Sequence, residues 1–376
     1  MAPPTTGGTT SLPDPLPPLE LTPGPVRAEP LPADRPVRWG ILATGGIAGS
    51  VVAELALLGE CEVAAVGSRR QDSADAFARE HGIPTAYGDY RRLVEDPDVD
   101  VVYVATPHAL HREHVEMALH AGKAVLCEKA FTLTASETEH LVGLARERGL
   151  FLMEAMWMRC HPVVRRLRQL VGSGALGEVR QVRADLGFVV DRPDTDRLLD
   201  PALGGGALLD MGVYPLTFAS LFLGEPSRIS AVATLSPAGV DLDVAVGLGY
   251  DSGAVAAVTA TMTAWCPRTA SIATDRGRVD LPGPFHHPSG VTWTPYESGE
   301  RTGSAEPGRP QPIEEEVLGR GYTHEALEVV RCLRSGETES PLVPLDDTLA
   351  LMRQMDAVRA QVGVRYEADH DAERGG

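Results

Sequence analysis

RWGILATGGIA, residues Arg38 to Ala48, places a short apolar run directly before a glycine turn and the start of a helical pattern. Such a turn can bind a pyrophosphate, because glycine lets the anion approach the backbone N–H groups and the positive end of the helix. Against the G-x-G-x-x-G/A pattern, Gly45 and Ala48 fill the second and third positions, and Ala43 replaces the first glycine. The stretch therefore favours a dinucleotide-binding turn over an ordinary strand-to-helix turn. Its residues are Ala43, Thr44, Gly45, Gly46, Ile47 and Ala48.

Downstream of this turn, strand-like runs alternate with amphipathic helical patterns, which is typical of a parallel sheet built from right-handed crossovers. Thr134 followed by Glu137 predicts a capping box, and Gly82 and Gly149 stand where helices should end. A Rossmann domain with a doubly wound parallel sheet is therefore predicted for residues 37–158. The predicted strands are Arg38–Leu42, Cys61–Gly67, Asp100–Ala105, Ala124–Cys127 and Phe151–Met153, and the predicted helices are Ile47–Leu58, Ser73–His81, His111–His120 and Thr134–Arg148.

The second half of the chain has a different order of elements. Several strand patterns follow one another from Arg228 to Leu281 without an intervening helix, which implies an antiparallel or mixed sheet. The whole is thus predicted to be an α/β protein whose C-terminal α+β domain, residues 159–365, holds a large, open, mostly antiparallel or mixed sheet. An open sheet face predicts a homodimer or higher homo-oligomer. Residues 1–36, rich in Pro and Thr, and residues 366–376 are predicted to be tails.

The composition narrows the class of protein. A net charge of -18 argues against a nucleic-acid partner, because neutralising phosphates requires clustered basic residues. The five cysteines form no C-x-x-C pair and no Cys/His cluster with zinc spacing, so no metal site is predicted and a reducing compartment is favoured. No apolar run reaches the roughly 20 residues of a membrane span, and no secretory signal pattern begins the chain. We therefore expect a cytoplasmic protein with a small-molecule substrate and no membrane partner.

The end of the second predicted strand bears on the choice of cofactor. A site that prefers NAD places Asp or Glu there, roughly 20 residues beyond the glycines, to bind the ribose hydroxyls. Here the sequence instead has Ser68, Arg69 and Arg70. A serine can donate a hydrogen bond to a 2′-phosphate and an arginine can pair with its charge. NADP is therefore the preferred cofactor and NAD the alternative, unless both arginines are only solvated loop residues.

Two further strand ends are predicted to meet at the cofactor cleft, because a doubly wound sheet binds its ligand at the carboxyl ends of its strands. Lys129 is one of only two lysines in the chain, the other being Lys123, and a lysine at this position is predicted to contact the substrate hydroxyl. The two histidines are expected to line the cleft or cap the helix, not to bind metal. The residues assigned to the cleft here are Thr106, Pro107, His108, His111, Glu128 and Lys129.

A third constellation lies in the second domain, in the run GGGALLDMGVY from Gly204 to Tyr214. If a helix begins at Gly206, Asp210 and Tyr214 lie one turn apart on the same face. Two ionisable groups would then face whatever ligand the glycines allow to approach. Taken alone, each residue also has a purely structural interpretation. Asp210 is then a hydrogen-bonding aspartate, and Tyr214 is a tyrosine packed at the helix edge.

Taken together, these stretches resemble the Gfo/Idh/MocA family of sugar and polyol oxidoreductases. Within it they are similar to the branch of dimeric dihydrodiol dehydrogenases and NADP-dependent D-xylose dehydrogenases. The resemblance spans about residues 37 to 365. It is carried by RWGI (38–41), AYG (86–88), AGKAVLCEK (121–129), LMEAMW (152–157), GGALLD (205–210) and SP (340–341), in this order and spacing.

The resemblance implies roles for individual residues. Lys129 matches the lysine of the family's Glu-Lys-Pro motif, which touches nicotinamide and substrate, and Asp210 matches the family's helix aspartate. Tyr214 stands where this branch has the tyrosine proposed as acid/base. Trp157 and Arg159 match positions near the substrate. The chain departs from the family at Ala43, where most members have Gly, and at Ala130, where they have Pro.

The resulting hypothesis is a hydride transfer between NADP and a secondary alcohol or carbonyl of a sugar, polyol or dihydrodiol-like substrate. Tyrosine and lysine side chains both have a pKa of about 10, so either acts as a base at neutral pH only if its neighbours lower that pKa. Tyr214 is expected to exchange the proton, with electrostatic help from Lys129 and orientation by Asp210. Two other functions remain open from the sequence: an NAD-dependent, redox-assisted glycosidase, and a catalytically weak NADP-binding regulatory protein.

Overall fold

The computed structural model describes residues 30–298 and 305–369, and it contains two sheets. The first is a six-stranded sheet in the order β3-β2-β1-β4-β5-β6, and every pairing in it is parallel. This confirms the doubly wound Rossmann sheet. Its strands are β1 Val37–Leu42, β2 Cys61–Gly67, β3 Thr85–Tyr87, β4 Val101–Val104, β5 Ala124–Cys127 and β6 Leu152–Glu154.

The four predicted helices between these strands are present, and their ends agree with the prediction to within three residues. The Thr134 side chain accepts a hydrogen bond from the Glu137 N–H, and Gly82 and Gly149 end their helices in the left-handed conformation. Strand β3 and the short helix after it were not predicted, since each is too short for a periodic pattern. The helices are α1 Gly46–Leu55, α2 Gln71–His81, α3 Tyr90–Val94, α4 His111–His120 and α5 Ala135–Arg148, with a 3₁₀ turn at His108–Leu110 before α4.

The second sheet is mixed and mostly antiparallel, as predicted. Its order is β14-β13-β12-β11-β7-β10-β9-β8, with β15 paired to β13, and within the described residues β7 and β10 form its one parallel pair. The last three strands were not predicted from the sequence. The strands are β7 Val179–Gly187, β8 Arg228–Leu235, β9 Asp241–Gly249, β10 Val255–Thr261, β11 Ala270–Thr274, β12 Gly277–Leu281, β13 Val291–Ser298, β14 Ala305–Pro307 and β15 Gln311–Ile313.

Helices cover one face of this sheet. The apolar stretch Pro201–Leu223 is long enough to cross a membrane, but most of it is buried against β7 and β10, as expected of a core helix. Exposed residues alternate with partly buried ones along β8 and with buried ones along β10, so the opposite face of the sheet is open. The helices are α6 Trp157–Cys160, α7 Pro162–Gly172, α8 Val213–Leu223, α9 Tyr322–Ser335 and α10 Leu345–Val362, with a 3₁₀ turn at Pro201–Leu203 and a π-helical turn at Leu208–Gly212.

The last two helices return to the first domain, where α9 packs on α1 and α10 packs on α5 and β6. The hydroxyl of Thr348 on α10, for example, donates a 2.9 Å hydrogen bond to Glu154 at the end of β6. Helices α9 and α10, which the sequence assigned to the second domain, thus also stabilise the Rossmann domain.

Both predicted tails are too long. At the N-terminal side, Leu31 N–H donates to the Leu333 carbonyl oxygen, and Arg35 pairs with Asp100 at 2.6 Å. At the C-terminal side, Tyr366 is buried and its hydroxyl donates a 2.7 Å hydrogen bond to the Gly205 carbonyl oxygen. These contacts place residues 30–36 and 366–369 within the folded part. The remainder of both predicted tails lies outside the described residues.

Candidate active site

A crevice of about 910 Å³ opens where the carboxyl ends of the Rossmann strands face the beginning of α8. It brings together residues that are far apart in the chain, from Ala43 to Tyr322. Of the residues predicted from the sequence, those that line it are Ala43, Thr44, Gly45, Gly46, Ile47, Ser68, Arg69, Thr106, Pro107, His108, Glu128, Lys129, Trp157, Asp210 and Tyr214.

The glycine turn leaves one wall of the crevice open. A Cβ added to Gly45 or Gly46 would meet no atom within 4 Å, so nothing in the protein fills the space beside the backbone there. Helix α1 begins at Gly46 with no side-chain cap and no acidic residue in its first turn. These features fit a pyrophosphate, because the free N–H groups and the helix dipole both favour an anion. Ala43 has a φ of 108°, a conformation that favours glycine.

The end of β2 supplies Ser68 and Arg69 to the same crevice. Among the described residues that line the crevice, the carboxylates are Glu128 and Asp210, and neither comes from this strand end. The donors at this end therefore fit a ribose that carries a 2′-phosphate. Arg70 differs from its neighbour. Its side chain is 77% exposed and lies 3.9 Å from Asp72, so it is a solvated loop residue.

Lys129 and Asp210 meet at the centre of the crevice. Lys129 Nζ donates a 2.6 Å hydrogen bond to the Asp210 backbone oxygen and lies 3.6 Å from carboxylate atom Oδ1. Arg197 holds the same Oδ1 at 3.1 Å. Burial alone would raise the pKa of Asp210, but the two cations outweigh it and lower that pKa to about 2. Asp210 is therefore a fixed anion that binds the lysine. The peptide bond between Lys129 and Ala130 is cis.

Tyr214 lies beside this ion pair, with Lys129 Nζ 4.9 Å from the centre of its ring. The phenolic oxygen accepts a 2.7 Å hydrogen bond from Trp157 Nε1. Burial, followed by the charge of Glu128, raises the pKa of Tyr214 well above its ordinary value. The residue is thus a protonated phenol whose oxygen is oriented by the indole. The predicted regular helix start is wrong in detail, because the π-helical turn Leu208–Gly212 precedes α8, yet both ionisable residues still face the crevice.

His108 connects three segments that line the crevice. Its Nδ1 lies 2.9 Å from the Gly204 carbonyl oxygen, and its Nε2 lies 3.2 Å from the Lys129 carbonyl oxygen. Burial lowers the pKa of His108, so the ring is neutral near pH 7. The histidine therefore aligns the strand end that carries Lys129 with the loop that leads to Asp210.

Four predicted site residues do not line the crevice. Ala48 is buried in the core, where a small residue lets α1 pack on the sheet, and Arg70 faces solvent. His111 is fully buried and its ring nitrogens face the backbone oxygens of the strand-end segments, which makes it structural. Arg159 was expected near the substrate mouth, but its Nε donates to the Leu342 carbonyl oxygen and it pairs with Asp347. Its guanidinium thus joins α6 to the beginning of α10.

Other residues of the site were not predicted. Tyr322, the first residue of α9, lines the crevice, and its ring lies 4.5 Å from that of Trp157. His286 packs 4.7 Å from the ring of Tyr214. Neither belongs to a motif, and both reach the site only through tertiary packing. Arg192 and Arg197, in the loop that follows β7, also line the crevice. Within the described residues, no group of three or more metal-ligating side chains is suited to hold a metal ion.

Comparison with family models gives two matches that follow the two domains. Residues 37–156 match the oxidoreductase family with an NAD-binding Rossmann fold, and residues 164–280 match the GFO/IDH/MocA C-terminal domain. The described crevice lies between these two matched parts and is lined by residues from both.

Similar proteins span nearly the whole chain. The trans-1,2-dihydrobenzene-1,2-diol dehydrogenase of Bos taurus is 38% identical over 340 residues, which cover 89% of this chain and 99% of that protein. A 3-ketoreductase from Actinomadura kijaniata, solved with NADP and TDP-benzene, is 31% identical, with a TM-score of 0.73 and coverage of 88% and 99%. An aldose-aldose oxidoreductase from Caulobacter crescentus is 28% identical, with a TM-score of 0.76 and coverage of 88% and 98%.

Proposed function

Because the chain belongs to the Gfo/Idh/MocA family of oxidoreductases, we propose that it interconverts a secondary alcohol and a carbonyl of a sugar, polyol or dihydrodiol-like substrate with NADP as the cofactor. The observation that carries the proposal is the convergence of Lys129 and Tyr214 in one crevice with the glycine turn. Its relatives named above act on a diol, a ketone and aldoses, which supports a hydroxyl or carbonyl carbon as the reacting centre.

NADP would lie along the crevice, with its pyrophosphate at Gly45 and Gly46 and its 2′-phosphate at Ser68 and Arg69. When bound, it supplies the nicotinamide that gives or takes a hydride. Lys129, at the end of β5, is the cation that lies between the part of the crevice proposed for NADP and the ring of Tyr214.

Tyr214 is the group that moves the proton. In the direction of reduction it gives its phenolic proton to the carbonyl oxygen of the substrate, for which its raised pKa keeps it protonated. In the direction of oxidation the phenol first loses its proton to solvent, and the phenolate oxygen then takes the proton of the substrate hydroxyl. Lys129, 4.9 Å from the ring, lowers the cost of the phenolate by its charge, and Trp157 stabilises it by donating to the oxygen. Asp210 keeps Lys129 in this position.

The test is a turnover assay of single variants, with NADPH for a panel of vicinal dicarbonyls and aldoses and with NADP⁺ for a panel of polyols. Lys129→Met and Tyr214→Phe should each lower kcat by on the order of 10²-fold or more, the usual scale for acid/base groups. Lys123→Met is the matched control, because the second lysine of the chain binds the Asp96 and Val99 carbonyl oxygens away from the crevice. Near-normal turnover of Lys129→Met that still binds NADPH would contradict the role of this lysine.

The open face of the second sheet supports a homodimer. It forms a shallow groove of about 880 Å³ that is lined by residues from β7 to β13, and Val232 on it is 70% exposed. An apolar face of this kind in a protein is typical of a subunit interface. Val232→Glu should therefore give a monomer in light scattering after size-exclusion chromatography. Leu57→Glu, at an exposed apolar residue of the first domain, should leave the oligomer intact.

The cytoplasm is the proposed compartment. All five cysteines are free thiols, and three of them are buried. A reducing environment keeps them in that state. Expression of the chain with a compartment-specific alkylation probe in its host would test this, and labelling from outside the cytoplasm would contradict it.

A further inference from the structure

The Asp210 carboxylate affects the proposed proton transfer in two opposite ways. It holds Lys129 beside the Tyr214 ring, with Nζ 3.6 Å from Oδ1 and 2.6 Å from the backbone oxygen of the aspartate. Its negative charge also acts on the phenol, which must ionise when an alcohol is oxidised. Burial is the largest cause of the raised pKa of Tyr214, and the charge of Asp210 is one of the smaller causes that add to it. The anion that anchors the lysine therefore opposes the ionisation that the lysine assists.

Arg197 is the second cation on this carboxylate. Its Nη1 donates a 3.1 Å hydrogen bond to Asp210 Oδ1, the same oxygen that faces Lys129 Nζ. Neighbouring residues of the loop that follows β7 fix its position. The carbonyl oxygen of Leu198 accepts a 2.9 Å hydrogen bond from the Gly206 N–H, and the Gly206 carbonyl oxygen accepts one of 3.3 Å from the Asp210 N–H. The loop and the turn that carries Asp210 therefore keep a constant relative position.

The charge beside the phenol differs with and without this arginine. Lys129 and Asp210 alone form a neutral pair, and Arg197 adds a positive charge to that pair. A net positive charge stabilises a phenolate, and more so where the site is shielded from water. The Arg197 side chain is 50% exposed and that of Asp210 is 12% exposed, so the guanidinium reaches a buried carboxylate from the solvent side.

Other titratable groups face the phenol or the carboxylate from the elements packed against them. Burial lowers the pKa of His108, before α4, and of His286, in the loop between β12 and β13, so both rings are neutral near pH 7. Burial raises the pKa of Tyr322, at the beginning of α9, and of Glu128, at the end of β5. None of these four groups is a cation, so the second positive charge on the carboxylate comes from Arg197.

We propose that Arg197 is a positioning residue for the proton transfer and acts through Asp210. By neutralising this carboxylate it leaves the charge of Lys129 available to the phenolate of Tyr214. The inference rests on the proposed function, in which Tyr214 exchanges the proton with the substrate. Because the guanidinium is half exposed, its contribution should weaken in salt more than that of the buried lysine.

The experiment records kcat against pH for the oxidation of the fastest polyol substrate of the panel with saturating NADP⁺. In Arg197→Leu the rising limb should move to higher pH by on the order of half a pH unit, because the phenolate loses the help of one half-exposed positive charge. Arg197→Lys, which restores the charge, should return the limb most of the way.

Arg192→Leu is the matched control, because this arginine lies on the same loop and lines the same crevice but pairs with Asp196 at 3.6 Å. Its limb should coincide with that of the unaltered protein. Salt at about 1 M, where the screening length is about 3 Å, should move the limb of the unaltered protein toward that of Arg197→Leu. A general loss of structure in the variant would not reproduce this dependence on salt.

An unmoved limb in Arg197→Leu would overturn the inference, as would an equal shift in Arg192→Leu. A raised KM with an unmoved limb would likewise overturn it, because the arginine would then act in binding alone. Lack of turnover of every polyol by the unaltered protein would instead contradict the proposed function, and the inference with it. The two failures are therefore distinguishable.

Discussion

The indole Nε1 of Trp157 donates a 2.7 Å hydrogen bond to the hydroxyl oxygen of Tyr214. The two residues lie on different elements, Trp157 at the beginning of α6 and Tyr214 in the first turn of α8. The bond therefore connects the end of the Rossmann domain to the helix of the second domain that carries the proposed proton donor. Since the indole can only donate, the phenolic proton remains directed to another acceptor.

Trp157→Phe should lower kcat by about fivefold, because a single hydrogen bond contributes about 1 kcal/mol. The donated bond also opposes the rise in the pKa of Tyr214, so its loss should move the rising limb of the oxidation pH profile to higher pH. The measurement is kcat against pH in the direction of oxidation. In a Tyr214→Phe background the same substitution should have little further effect, and an additive effect there would show that Trp157 acts independently of Tyr214.

Arg69→Gln should weaken NADP binding and leave NAD binding nearly unchanged. A charge-assisted hydrogen bond contributes about 1.5–3 kcal/mol, so the KM for NADP should rise on the order of 10- to 100-fold. Arg70→Gln is the matched control, because that side chain faces solvent beside Asp72. The measurement is KM for both cofactors in all three proteins. Equal losses for NADP and NAD would mean that Arg69 does not contact the 2′-phosphate.

Glu154→Gln should stabilise the protein at pH 8 and have little effect below pH 4.5. Burial raises the pKa of Glu154 from its ordinary 4.5 to about 7, and the hydrogen bond from Thr348 opposes this rise only in part. The folded state therefore binds more protons than the unfolded chain between these two values. Stability is full below the lower value and falls as pH rises through the higher one, by about 3 kcal/mol in all.

Urea unfolding of both proteins from pH 5 to pH 8 measures this difference. The amide cannot ionise, so the curves should separate as pH rises. Glu139→Gln is the control, since its exposed side chain lies on α5 beside Arg353 and should show no such separation. A constant difference across the range would mean that Glu154 is not protonated in the folded state.

Much of the site followed from local patterns. Lys129 follows a buried strand, and the carboxyl ends of parallel strands meet at one edge, so its place beside the glycine turn was predictable. The place of Tyr214 in the site was predictable as well, because it lies one helical turn after Asp210 and follows a run of glycines. The direction of Arg159 was not predictable, because α6 is a single turn whose partners, Leu342 and Asp347, lie nearly 190 positions later.

The residues that complete the site had no signal in the sequence. His286 lies in a loop and Tyr322 begins a helix near the end of the chain, and only tertiary packing brings them to Trp157. The open face of the second sheet was predicted because its alternating pattern repeats over several strands. Strands β13 to β15 were missed, since Pro295, Pro307 and Pro312 interrupt their patterns.

Ala43→Gly should stabilise the protein. Ala43 has a φ of 108°, which strains a residue that carries a Cβ by about 1–3 kcal/mol. Glycine relieves that strain but loses about 0.4–1 kcal/mol because its unfolded chain has more freedom. The first effect is the larger one, so the free energy of unfolding should rise by about 1 kcal/mol. Ala53→Gly, at an exposed helical position of α1, should lower it by about 1 kcal/mol.

The two alanine-to-glycine substitutions thus have opposite expected signs although they change the same atoms. Urea unfolding at pH 7 gives both values, and a loss of stability in Ala43→Gly would mean that the turn holds alanine without strain. Because Ala43 N–H donates to the Gly67 carbonyl oxygen at 3.1 Å, the turn stays attached to β2 in either variant. Binding of NADP to Ala43→Gly should therefore be at least as tight as to the unaltered chain, since glycine also opens the space beside the pyrophosphate.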